Sequence, residues 1–159
     1  MDWNTETVNI IYASNDGYAG HLAASLYSLL DHNRNIPRMD IYILSVGMSE
    51  AYLERLAGIA RKFCRSLHVA ELGNLRERFD YAVDTRGFDI SAMGRLFAPK
   101  VLPDSVRKAL YLDCDTIVNG SIRPLYETEL GNHLAGMVME PTVYREMKDS
   151  IGMERDEPY

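Results

Sequence analysis

Two aspartates that directly follow an apolar run are the residues of this chain best suited to chemistry. Asp113 and Asp115 come after the run Ala109–Leu112. If that run is a strand, side chains two positions apart point to the same face, so the two carboxylates lie side by side. They repel each other unless one is protonated or a cation lies between them. A hard divalent cation completed by a phosphate fits this pair, and a solvated turn is the alternative interpretation.

Composition narrows the class of protein. The chain has 159 residues, 47% of them hydrophobic, which predicts one domain over residues 1–159 with its own core. A net charge of -6 argues against nonspecific nucleic-acid binding. The first apolar stretch, Val8–Ala13, follows an acidic and polar start, so we expect neither a signal peptide nor a membrane span.

The two cysteines indicate the compartment. Cys64 and Cys114 are too far apart for the spacing of a zinc or redox motif. We therefore expect reduced, mostly buried thiols and a cytoplasmic protein, with peripheral attachment to the inner membrane face as an alternative.

The elements that must position the aspartates alternate between apolar runs and amphipathic stretches. This rhythm predicts an α/β fold with a mainly parallel sheet covered on both faces. Helices are predicted at Tyr18–His32, after Ser49 and at Ser91–Val101, with a long functional loop at Leu72–Ile90. Strands are predicted at Val8–Ala13, Ile41–Val46, Leu67–Ala70, Ala109–Leu112 and Leu134–Met139.

Two polar clusters lie at predicted carboxyl ends of strands. They are Ser14–Gly17 and Asp113–Asp115. Ligands of open parallel sheets bind at such ends, near the point where the strand order reverses, so we expect one shared crevice. The chain lacks both G-x-G-x-x-G after the first strand and the P-loop motif, which argues against a dinucleotide fold and a P-loop enzyme.

A set of motifs in a fixed order makes the chain recognisable. They are Ile11–Ala19, Ser25–Leu30, Gly94–Pro99, Leu110–Val118, Pro124–Tyr126 and Ile151–Met153. Together they resemble glycosyltransferase family 8. The resemblance implies a three-layer α/β/α GT-A fold, which is Rossmann-like. It also implies transfer of a hexose, with retention, from UDP-glucose or UDP-galactose to a saccharide acceptor such as lipopolysaccharide.

The resemblance also implies how the donor diphosphate is held. Asp113 and Asp115 would bind Mn²⁺, with Mg²⁺ as the alternative ion, and Asp113 would also reach a ribose hydroxyl. Arg95 would contact the donor sugar and the diphosphate. Cys114 lies within the same donor-binding segment, and we expect its side chain to face the opposite side and pack in the core.

The nucleoside would be bound by the first cluster. By resemblance, Tyr18 stacks on uracil and the backbone of Ala13 lies against the nucleotide. Asn15 replaces a usual aspartate as acceptor of the uracil N3–H, and the loss of charge predicts a weaker bond. Gly17 replaces a common asparagine. Asp16 is then a candidate for the missing contact, with a solvated turn residue as the equal alternative.

Family catalytic domains continue beyond the equivalent of Tyr159, into an F-N-[AS]-G-V segment, acidic and amide residues near the anomeric carbon, and a metal-binding histidine. We therefore expect a C-terminally incomplete domain that keeps the nucleotide-binding part and has little or no transfer activity. No catalytic residue is assigned within it. Uncovered apolar surface or an unpaired sheet edge would favour self-association.

Two other functions compete with the transferase. One is a nucleotide-sugar-binding module without catalysis. The other is a phosphatase of the haloacid dehalogenase type, in which the first aspartate of D-x-D is the nucleophile. That motif normally opens its domain, and too few residues follow Asp115 here for the later lysine and acidic motifs.

Overall fold

The computed structural model describes residues 6–85, 87 and 89–138. The chain divides into two compact units, Met1–Glu127 and Thr128–Tyr159, and each is described by itself. None of the described helices is long and apolar enough to cross a membrane.

A parallel sheet forms the centre of the first unit. Its strands are β1 (Val8–Ser14), β2 (Met39–Ser45), β3 (Ser66–Glu71) and β4 (Leu110–Tyr111), in the order β3-β2-β1-β4. All seven residues of β1 are buried, polar Asn9 and Ser14 included, as expected for a mainly apolar strand between two parallel neighbours. The order reverses at β1, because β2 lies on one side of it and β4 on the other.

Two cores lie on opposite faces of the sheet, because alternate residues of β1 contribute to different clusters. On one face, α1 (Ala19–His32) and α2 (Glu50–Lys62) pack through Leu22, Leu26 and Leu56. The other face is covered by 3₁₀ helices at Leu75–Arg78 and Ile90–Phe97 and by the short α3 (Ala98–Val101). The predicted three-layer α/β/α architecture is confirmed.

Buried polar groups attach the segment after β4 to the rest of this unit. The Asn33 side chain donates to the carbonyl oxygens of Leu29 (2.9 Å) and Gly120 (3.2 Å) and accepts from the Ile122 amide (2.9 Å). In α4 (Arg123–Glu127), the Tyr126 hydroxyl donates to the Lys108 carbonyl oxygen at 2.9 Å. These bonds hold the chain on both sides of the aspartates.

The predicted helix at Ser91–Val101 differs from the structure in type. Residues Ile90–Phe97 form a 3₁₀ helix, and only Ala98–Val101 is α-helical. Its buried residues are Ser91, Gly94 and Phe97. That spacing of three places them on one face when there are three residues per turn, so packing on the sheet favours the tighter helix.

The predicted strand at Leu134–Met139 is wrong over residues 134–138, which form neither strand nor helix in the second unit. Leu134, Met137 and Val138 are highly exposed. An apolar pattern forms a strand only where another strand can pair with it. The local sequence pattern does not show whether such a strand is present. Met139 and the motif Ile151–Met153 lie outside the described residues.

Candidate functional site

A cavity of about 290 Å³ lies at the carboxyl ends of β1 and β4, where the strand order reverses. This is the position at which open parallel sheets bind ligands. Its size is near the lower end of the range for small-molecule sites. The lining residues are Ala13, Tyr18, Asp89, Ser91, Ala92, Arg95, Tyr111, Asp113, Cys114 and Asp115.

The two aspartates reach the cavity by a geometry that differs from the predicted one. β4 ends at Tyr111, so Asp113 and Asp115 are not neighbours on a strand face. They lie in a turn closed by bonds from the Thr116 amide (3.2 Å) and hydroxyl (2.7 Å) to the Asp113 carbonyl oxygen. The prediction that alternation along a strand aligns them is therefore wrong, although both carboxylates line one cavity.

Cys114 lies between the aspartates and packs inward. Its side chain is buried in the core, and the thiol donates to the Ala13 carbonyl oxygen at 3.2 Å. Cys64 is exposed, so the expectation of buried thiols is wrong for that cysteine. Burial raises the pKa of the Cys114 thiol to about 11. The sulfur is therefore a neutral group that joins the aspartate turn to the end of β1.

Arg95 and Tyr111 both contact Asp113. The Tyr111 hydroxyl donates to Asp113 Oδ1 at 2.8 Å, and Arg95 Nη2 lies 3.5 Å from the same oxygen. The Arg95 guanidinium is 4.7 Å from the centre of the Tyr111 ring, and its Nε donates to the Ala92 carbonyl oxygen at 2.8 Å. Burial and then the bond to Asp113 raise the pKa of Tyr111, so the hydroxyl remains a donor.

Tyr111 lines the site, although the sequence pattern predicts for it only a place in the apolar run Ala109–Leu112. The available signal was a tyrosine two positions before Asp113, since a phenol ends in a polar group that needs a partner when buried.

Asp89 is the second residue that was missed. Its Oδ1 accepts from the Ser91 backbone amide at 2.8 Å, and its Oδ2 accepts from the side-chain amide (Nδ2) of Asn15 at 2.9 Å. The Ser91 backbone amide, then the Ser91 hydroxyl and the Asn15 amide, hold the pKa of Asp89 below its ordinary value. An aspartate at the N-cap of a helix was the signal that could have identified it.

The residues expected to bind the nucleoside lie only partly in the cavity. Ala13 and the exposed ring of Tyr18 line it, whereas Asn15 and Asp16 are not among the lining residues. Asn15 Oδ1 accepts from the Tyr18 amide at 3.3 Å, and Asp16 Oδ1 accepts from the Ser49 amide at 2.7 Å. Asn15 therefore stabilises the turn before Tyr18, and Asp16 stabilises the start of α2.

The helix that carries Arg95 lies very close to β1. A Cβ placed on Gly94 would be 3.0 Å from Ala13 Cβ, 3.4 Å from Leu72 Cδ1 and 3.5 Å from Val46 Cγ2. A Cβ at this position would force the helix or β1 to shift by a few tenths of an ångström, so Gly94 sets how closely Arg95 approaches the end of β1.

The residues present fit a hard divalent cation. Asp113 and Asp115 supply carboxylate oxygens, which suit Mn²⁺ and Mg²⁺, and Cys114 offers no thiolate. Within residues 6–85, 87 and 89–138, no three His, Cys, Asp or Glu side chains are grouped to hold a metal ion. Two carboxylates completed by substrate phosphates and water are an ordinary arrangement for such ions.

Comparison with known proteins assigns the family. The profile of Glycosyl transferase family 8 matches residues 9–157. General stress protein A of Bacillus subtilis (strain 168) is 23% identical over 91% of this chain and 50% of its own length. Lipopolysaccharide 1,2-glucosyltransferase of Escherichia coli (strain K12) is 24% identical over 86% of this chain and 39% of its own.

A solved structure gives the same result for the fold. The galactosyltransferase LgtC, in complex with donor and acceptor sugar analogues, matches with a TM-score of 0.83 and 27% identity. The match covers 96% of this chain and 54% of LgtC, so the chain spans about half of that protein. The chain therefore belongs to glycosyltransferase family 8 and has the GT-A fold.

Proposed function

We propose that the cavity binds the diphosphate of UDP-glucose or UDP-galactose through Mn²⁺, with Mg²⁺ as the alternative ion. The protein to which this chain belongs would transfer the hexose with retention to a saccharide acceptor of the lipopolysaccharide type. One observation carries the proposal. Two carboxylates, a guanidinium and an exposed aromatic ring meet in one cavity at the reversal of the strand order.

Each of these groups has a chemical role in the proposal. Asp113 and Asp115 would hold the divalent cation, which as a Lewis acid stabilises the charge on a departing UDP by several kcal/mol. Arg95 places a further positive charge 3.5 Å from Asp113, within reach of a diphosphate held there. Tyr111 keeps the Asp113 carboxylate in one orientation through its 2.8 Å bond.

The nucleoside would lie on the side of the cavity formed by the end of β1. Tyr18 is 41% exposed, so its ring face is accessible to a uracil base. Asn15 Oδ1 already accepts one bond, from the Tyr18 amide, and an amide oxygen has a second lone pair for the uracil N3–H. The Asp89 carboxylate fixes the Asn15 amide group in that orientation.

Calorimetry of UDP binding, with and without Mn²⁺, tests the donor site. We compare the wild-type chain with Asp115→Ala and with Asp104→Ala, an exposed aspartate that is not among the lining residues. We expect metal-dependent binding in the wild type and Asp104→Ala and its loss in Asp115→Ala. Equal binding in the presence and absence of Mn²⁺ for all three proteins would contradict the proposal.

A second measurement separates binding from transfer. Release of labelled hexose from UDP-glucose and from UDP-galactose is followed with and without a lipopolysaccharide acceptor. Release of hexose would refute the nucleotide-sugar-binding module, whereas binding of UDP without release is expected both for that module and for the nucleotide-binding part of a transferase. The faster of the two donors identifies the sugar.

A further inference from the structure

We propose that Arg95 neutralises Asp113 in the nucleotide-free site and leaves it when a divalent cation and a diphosphate bind. Arg95 would then couple the two binding events, so that each ligand raises the affinity for the other. This inference rests on the proposed donor site and adds a role for Arg95 in its nucleotide-free state.

The contacts of Arg95 show an ordered cation. Three contacts orient its guanidinium: the 2.8 Å bond from Nε to the Ala92 carbonyl oxygen, the ring of Tyr111 at 4.7 Å, and Asp113 Oδ1 at 3.5 Å from Nη2. Tyr111 also donates to that oxygen, at 2.8 Å. One oxygen of a proposed metal ligand therefore already has two positively polarised partners.

A divalent cation that binds Asp113 would compete with Arg95 for its carboxylate. The cation and the guanidinium would both lie close to one carboxylate, and like charges at such a separation repel. A diphosphate removes the conflict, because its oxygens can accept bidentate hydrogen bonds from a guanidinium. By linkage, the metal ion and the diphosphate then strengthen each other's binding by the same factor.

The expected effect is modest because the pair is partly exposed. The side chains of Arg95 and Asp113 are 42% and 51% exposed, and exposed ion pairs are weak. Loss of the pair should tighten Mn²⁺ binding without nucleotide by about 1.5- to 5-fold.

A titration followed by the electron paramagnetic resonance signal of free Mn²⁺ tests the inference. It is performed with and without UDP on the wild type, on Asp115→Ala, on Arg95→Gln and on a control, Arg55→Gln. Arg55 is a matched arginine, because its guanidinium also lies over a tyrosine ring, at 5.5 Å from Tyr52 on α2. The control measures the effect of removing one positive charge away from the cavity.

We expect Arg95→Gln to bind Mn²⁺ more tightly than the wild type in the absence of UDP, with Arg55→Gln equal to the wild type. We also expect UDP to raise the Mn²⁺ affinity of Arg95→Gln by a smaller factor than that of the wild type. Mn²⁺ binding by Arg95→Gln that is unchanged or weaker without UDP would overturn the inference, and so would an undiminished effect of UDP.

The same titration separates this inference from the proposed function. If wild-type binding of Mn²⁺ depends on UDP and on Asp115 but not on Arg95, the donor site is supported and the coupling role is refuted. If the wild type binds Mn²⁺ in neither condition, both proposals fail.

Discussion

Replacement of Gly94 by alanine should damage both the fold and the site. The added Cβ would lie 3.0 Å from Ala13 Cβ, closer than ordinary van der Waals contact, and 3.4 Å from Leu72 Cδ1. Ala13 belongs to β1, the most buried strand, so it has little room to move. The 3₁₀ helix must shift instead, and Arg95 follows Gly94 directly on that helix.

The size of the effect follows from overpacking. One extra carbon in a filled core costs about 1–3 kcal/mol of unfolding free energy. Gly58→Ala is a matched control, because its Cβ would meet only the Arg61 guanidinium, at 3.8 Å, within α2. Alanine is the better helix former, so this substitution should stabilise the protein by about 0.5–1 kcal/mol.

Urea denaturation followed by circular dichroism measures both variants. The same chemical change is expected to have opposite signs at the two positions. Calorimetry should also show weaker binding of UDP with Mn²⁺ in Gly94→Ala and unchanged binding in Gly58→Ala. A Gly94→Ala protein as stable as the wild type would refute the close packing of this helix on β1.

Three further predictions concern buried or paired groups. Ellman's reagent at pH 8 should modify exposed Cys64 quickly and Cys114 slowly, because the latter is buried with a pKa of about 11; two fast thiols would contradict this. Asn33→Ala should lower the unfolding free energy by about 1–3 kcal/mol, measured in urea, because buried backbone groups lose their partners. The lowered pKa of Asp89 predicts a stabilisation that is present above its ordinary value of 3.8 and lost as the pH falls below it. Asp89→Asn should therefore have a lower urea midpoint than the wild type at pH 7. The two midpoints should converge at acid pH.

Much of the site could be predicted because its chemistry depends on residue type and local order. A carboxylate pair after an apolar run predicts an oxygen-ligand cation site at the end of a strand, and both carboxylates line the cavity there although they lie in a turn. The mainly apolar runs of β1 and β2 predict buried parallel strands, since a strand covered on both faces needs apolar side chains at successive positions. The confirmed family follows from the same ordered motifs.

Tyr111 and Asp89 could not be recognised in this way, because their roles depend on partners far along the chain. Asp89 contacts Asn15 across 74 positions, and Arg95 reaches Asp113 only through the pairing of β4 with β1. The 3₁₀ form of Ile90–Phe97 also arises from contact with the sheet, since its stripe at a spacing of three is too short to identify a helix type. Local propensity and residue type are properties of the sequence, whereas the pairing of distant groups depends on how the sheet is assembled.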